Sequence, residues 1–115
     1  ENLIFSVSNE GFLFTIDAQS GNIVRIINAL KNVKDKKNKI KPIGFLIARN
    51  KAYLSLNNGR LIKIDISTGL QESIVRLGGS KVSRPYILGE NMYLIKENSI
   101  TGTEIKPFEK FIISY

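Results

Sequence analysis

The stretch Asn9-Glu10-Gly11-Phe12-Leu13-Phe14-Thr15-Ile16-Asp17-Ala18-Gln19-Ser20-Gly21 returns 48 residues later as Asn57-Asn58-Gly59-Arg60-Leu61-Ile62-Lys63-Ile64-Asp65-Ile66-Ser67-Thr68-Gly69. Six of the thirteen positions are identical and Ser20 faces Thr68, so the two stretches are read as copies of one structural unit. Within each copy, residues of like polarity share one face of an extended chain: Phe14 with Ile16, and Ile62 with Ile64, while Thr15 and Lys63 point to the other side. Each copy therefore predicts a half-buried strand. The Asn-x-Gly triplet ahead of the strand supplies a tight hairpin turn.

Working outward, short runs rich in Ile, Val, Phe and Tyr alternate with Asn, Gly, Pro and Asp, a spacing too short for helices. Strands are expected over 3–8, 12–17, 22–28, 43–48, 52–56, 60–66, 72–77, 86–88, 92–96, 99–103 and 110–114. A period of 40 to 50 residues with about four strands per unit is the propeller pattern. A third unit begins at Pro85, where Asn91-Met92-Tyr93-Leu94 echoes Lys51-Ala52-Tyr53-Leu54. The fold class is thus all-β: a partial β-propeller of slightly under three antiparallel blade-like units, at about 1–41, 42–84 and 85–115. Such a chain is expected to belong to a longer propeller or to complete its fold through partner chains.

The Asp-x-x-Ser/Thr-Gly element has a local reason. Asp17 and Asp65 can accept hydrogen bonds from amides two or three residues ahead, and Ser20 and Thr68 can brace the same turn. Gly21 and Gly69 then take a backbone geometry costly to other residues. These six residues are read as structural turns rather than as catalytic groups.

Composition narrows the chemistry. The 115 residues include no cysteine and no histidine, which removes thiolate nucleophiles, Ser-His-Asp schemes and the common zinc sites. Leu77-Gly78-Gly79-Ser80-Lys81 lacks the spacing of a phosphate-binding loop. No apolar run is long enough for a membrane span. Catalytic, cofactor and metal residues are accordingly expected to be absent.

The net charge of +7 is concentrated in one place: Lys31, Lys34, Lys36, Lys37, Lys39 and Lys41, offset by Asp35, give segment 31–41 a charge of +5. With no interleaved aromatic residues it is read as a solvated hairpin or interblade loop, open with Gly78 to Arg84 to contact with a partner but not a specific nucleic-acid reader. Terminal apolar strands provide the other contact candidates, Leu3, Phe5 and Val7 at one end, Phe111, Ile112, Ile113 and Tyr115 at the other.

The two copies, in particular Leu13 to Gly21 and Leu61 to Gly69, resemble the pyrroloquinoline-quinone-type propeller repeat. The resemblance spans roughly 3–28 and 43–77, with an echo to 96. It implies a WD40/YVTN-like blade fold and three kinds of relative: quinone-dependent alcohol dehydrogenases, periplasmic sensor modules, and the BamB-like lipoprotein scaffold of outer-membrane protein assembly. The family repeat often places tryptophan four residues after the turn glycine, where this chain has Arg25 and Ser73. The quinone enzymes use stacking tryptophans and often a vicinal disulfide, neither of which this chain can build. The resemblance therefore implies a noncatalytic protein-interaction scaffold of the cell envelope, on the periplasmic side. Its partner would be a protein, the remaining blades of a longer parent, or another copy. A sensor or small-ligand module, or anionic-surface binding through the lysine segment, is the alternative.

Overall fold

A computed structural model describes residues 2–33, 39–77, 82–88 and 91–94, with 109–111 as a backbone strand. Ten strands lie among them: β1 (Leu3–Val7), β2 (Phe12–Asp17), β3 (Ile23–Asn28), β4 (Pro42–Ala48), β5 (Lys51–Leu56), β6 (Arg60–Asp65), β7 (Gln71–Arg76), β8 (Tyr86–Leu88), β9 (Asn91–Leu94) and β10 (Glu109–Phe111). They form three antiparallel sheets, β1-β2-β3, β4-β5-β6-β7 and β8-β9-β10, none closed into a barrel. The chain is all-β and arranged as a partial propeller. The strand expected at 99–103 lies outside the described residues.

The repeat read in sequence holds in the backbone, hydrogen bond by hydrogen bond. The hairpin bond from Gly11 N to Ser8 O (3.0 Å) has its counterpart from Gly59 N to Leu56 O (3.2 Å). Ala29 N donates to Gly11 O at 2.9 Å as Leu77 N does to Gly59 O at 2.8 Å. Even the irregularity recurs, since the register shifts between Thr15 and Ile16 in the first sheet and between Lys63 and Ile64 in the second. Thus β1, β2 and β3 correspond to β5, β6 and β7. The third sheet repeats the start of the second: Tyr86 pairs with Tyr93 and Ile87 with Met92, as Leu46 pairs with Tyr53 and Ile47 with Ala52. Among the described residues the first sheet has no counterpart of β4, and the third none of β7.

Two cores separate the three sheets. Alternation along β5 sends Ala52 and Leu54 to one side and Tyr53 to the other, and all three are fully buried. Ala52, Leu54, Ile62 and Ile64 meet Leu13 and Ile27 of the first sheet, with Phe5 and Val7 packed against them. Tyr53 and Leu61 meet Met92 and Leu94 of the third sheet. The middle blade is thus apolar on both faces, while each outer blade has one face covered.

One close approach joins the second and third units. A Cβ at Gly44 of β4 would overlap the Arg84 Cβ and stand 2.8 Å from the Arg84 Cα, so only glycine lets the segment before β8 lie against β4.

Thr15 lies across the strand from Phe14 and Ile16, as alternation requires, and on the buried side. It shares the buried face with Leu13 and is only 3% exposed, whereas Phe14 and Ile16 lie on the outer face. The physical reason is order in the stack: the second sheet covers the Leu13 side of the first, and nothing described covers the other.

Candidate interaction face and aspartate turns

At the end of β2, the Asp17 Oδ1 accepts the Gln19 amide at 2.9 Å and the Ser20 Oγ accepts the Asn22 amide at 3.1 Å. Gly21 N closes the turn on Asp17 O at 2.8 Å with φ of 75°, in the left-handed region that a Cβ disfavours. The second copy matches it. Asp65 Oδ1 accepts from Ser67 N (2.8 Å), Ser67 Oγ (2.6 Å) and Thr68 N (3.2 Å), Thr68 Oγ1 accepts Leu70 N (3.2 Å), and Gly69 also has φ of 75°. In both copies the turn thus joins the end of one strand to the start of the next.

The copies differ in electrostatics. Lys51, at the start of β5, places its Nζ 2.8 Å from Asp65 and 2.9 Å from the carboxylate of Glu72. The Lys51 ammonium foremost, then the Ser67 hydroxyl, hold the Asp65 carboxyl well below its usual range. Lys51 is raised in turn, chiefly by its hydrogen bond to Asp65. This three-residue bridge was not foreseen, because its members are spread over 51–72 and only the sheet register brings them together. In the first copy the corresponding positions hold Leu3, Asp17 and Val24, which line an open cleft of about 610 Å³ with Asn2 and Gln19.

The uncovered face of the first sheet is strongly apolar. Ile4 (51% exposed), Phe12 (37%), Ile23 (54%) and Ile26 (56%) stand on it beside the half-buried Phe14 and Ile16. Of the terminal candidates, Phe5 and Val7 face the other way and pack into the first core, a correction imposed by strand alternation. Leu3 remains partly exposed. At the far end Phe111 pairs with Met92 in the β9–β10 ladder, and Ile112, Ile113 and Tyr115 lie outside the described residues.

Of the lysine-rich segment, Lys31, Lys39 and Lys41 are exposed, and Lys34, Lys36 and Lys37 lie outside the described residues. Asn57 fastens its far end: the carboxamide accepts the Lys41 amide (3.1 Å) and donates to the Lys39 carbonyl (3.0 Å), while Asn57 N donates to Lys41 O (2.9 Å). Among the described residues no group of three His, Cys, Asp or Glu side chains could hold a metal ion, and no helix is long and apolar enough to cross a membrane.

The chain matches no protein-family model, and no curated protein is significantly similar to it. Solved structures do share its fold. A quinohemoprotein alcohol dehydrogenase, ADHIIG from Pseudomonas putida HK5, superimposes with a TM-score of 0.62 at 14% identity over 82% of this chain and 15% of that one. A chain of the mitotic checkpoint complex gives 0.59 at 10% identity, over 82% and 30%. The computationally designed Ika4 protein gives 0.51 at 13% identity, over 99% and 87%. This chain thus spans only a minor part of the first two. At such identities the likeness concerns the fold alone, and it shows a β-propeller-like arrangement of blades.

Proposed function

We propose that the chain serves in a noncatalytic protein-interaction scaffold, and that it works by burying the uncovered face of its first sheet against another blade-like surface. The observation that carries this reading is internal to the molecule. Ile4, Phe14 and Ile16 are the counterparts, 48 residues earlier, of Ala52, Ile62 and Ile64, which the first sheet covers with Leu13 and Ile27. The same repeat that packs blade on blade inside the chain thus leaves one copy of that face open. Fully covering half-exposed Ile4, Ile23 and Ile26 would contribute about 1 kcal/mol each, before ordering costs.

The surface chemistry supports a β-rich protein partner, whether the remaining blades of a longer parent, another copy or a separate protein. A place in the bacterial envelope, on the periplasmic side and in the manner of BamB-like propellers, is proposed from the likeness of the repeat to the quinone-type family. Light scattering over a concentration series, alone and with the segments flanking this chain in its gene, tests the reading. The wild type should associate in at least one setting, and Ile4→Ser/Ile26→Ser should weaken it while the β circular dichroism persists. A wild type that stays monomeric in both settings would overturn the proposal.

A further inference from the structure

We propose that the cleft at Asp17 is a binding site for a primary alkylammonium group. The argument again sets one repeat against the other. The lining residues Asn2, Leu3, Asp17, Gln19 and Val24 correspond, 48 positions on, to Asn50, Lys51, Asp65, Ser67 and Glu72. The two backbones are alike here: Ala18 N donates to Asn2 O at 3.0 Å, and Ile66 N to Asn50 O at 3.1 Å. In the second copy the place is filled from within, by the Lys51 ammonium at 2.8 Å from Asp65 and 2.9 Å from Glu72.

In the first copy Leu3 stands for Lys51, so among the described residues no ammonium occupies this place, but the carboxylate that would receive one remains. Its Oδ1 is oriented by the Gln19 amide just as Asp65 Oδ1 is by that of Ser67. Val24 replaces Glu72, so two alkyl side chains now flank the carboxylate, and a cleft of about 610 Å³ opens before it. A positive point charge on a flexible methylene stem fits this chemistry, with the stem along Leu3 and Val24 and the ammonium at Asp17. The ligand could be a free amine or a lysine side chain of a partner. Leu3 lies on the Phe5 and Val7 side of the first sheet, opposite the face assigned above to association, so the two proposals stand or fall separately.

The test is an amide-resolved NMR titration of the whole chain with n-pentylammonium, with the acetylated methylamide of lysine, and with n-pentanol as the uncharged stem. Saturable, millimolar shifts at Gln19, Gly21 and Val24, with Ser67 and Gly69 unmoved, are expected for the two amines only. Leu3→Lys, which supplies an internal occupant, should lower affinity at least about tenfold, and Val24→Glu, which restores the second carboxylate, should raise it about threefold. Asp17→Asn keeps the turn acceptor and should abolish binding. Tighter binding of the lysine derivative identifies a side chain as occupant, and tighter binding of pentylammonium a free amine. Equal shifts with pentanol, absence of saturable shifts, or unchanged affinity in both Leu3→Lys and Asp17→Asn would overturn the proposal.

Discussion

Asp17 and Asp65 end equivalent strands in the same turn, yet among the described residues it is Asp65 that has a lysine beside it, and this makes part of the molecule's pH response traceable to one bridge. Folding lowers the Asp65 pKa from 3.8, so its contribution is present above that pH and is lost as pH falls toward the lower folded value. Folding raises the Lys51 pKa from 10.5, so its contribution is present below that pH and is lost as pH rises through the folded value. The difference in urea midpoint between wild type and Lys51→Met should therefore be flat through neutral pH and shrink at both extremes; a difference unchanged well below pH 3.8 would contradict the assignment. Glycines give a second prediction at this scale. A Cβ at Gly21 meets nothing within 4 Å, so Gly21→Ala should cost about 1 kcal/mol from the positive φ alone. At Gly44 the obstacle includes the Arg84 backbone, so Gly44→Ala should cost more, about 2 to 3 kcal/mol, with the larger fall in urea midpoint.

At the scale of elements, the hairpins do more than reverse the chain. Asn57 sits in the β5–β6 turn and ties down residues 39–41, so Asn57→Ala should remove two side-chain hydrogen bonds and cost about 1 kcal/mol. The Lys41 amide, which donates to that side chain, should then exchange with solvent faster; unchanged exchange would mean that the contact does not anchor the segment. Its hairpin position was legible from the Asn-x-Gly triplet, but its tether was not, because a carboxamide's partner 16 residues away depends on where a loop returns. The same division runs through the fold. Strands, turns and the 48-residue repeat follow from local chemistry, and β1 to β9 lie close to their expected positions. Which face of a strand is buried depends on the sheet next to it, and for this reason polarity alone does not reveal that Thr15 faces the core or that Phe5 and Val7 pack into it. The Lys51 bridge and the Asp17 cleft were hidden likewise, since Lys51, Asp65 and Glu72 become neighbours only through the registers of β5, β6 and β7.

Across the whole molecule, burial is graded from the middle blade outward, and local stability should be graded with it. Every residue of β5 from Ala52 to Leu56 is buried, as are Leu61, Ile62 and Ile64 of β6, because sheets stand on both sides. In β3 only Ile27 is buried. Local opening exposes least apolar surface where least was covered, so amides of β3 should exchange through small openings and those of β5 and β6 only through global unfolding. Native-state hydrogen exchange in low denaturant should show β5 and β6 converging on the global free energy, with β3 below them. The interaction proposal adds a sharper requirement. When a partner blade covers Ile4, Phe12, Ile23 and Ile26, opening β3 must also expose the new interface, so protection there should rise with partner concentration by the mass-action amount. Protection in β5 should rise only as far as global stability does. A partner that slows exchange chiefly in the third sheet, leaving β3 as it was, would show that association uses the opposite end of the blade stack.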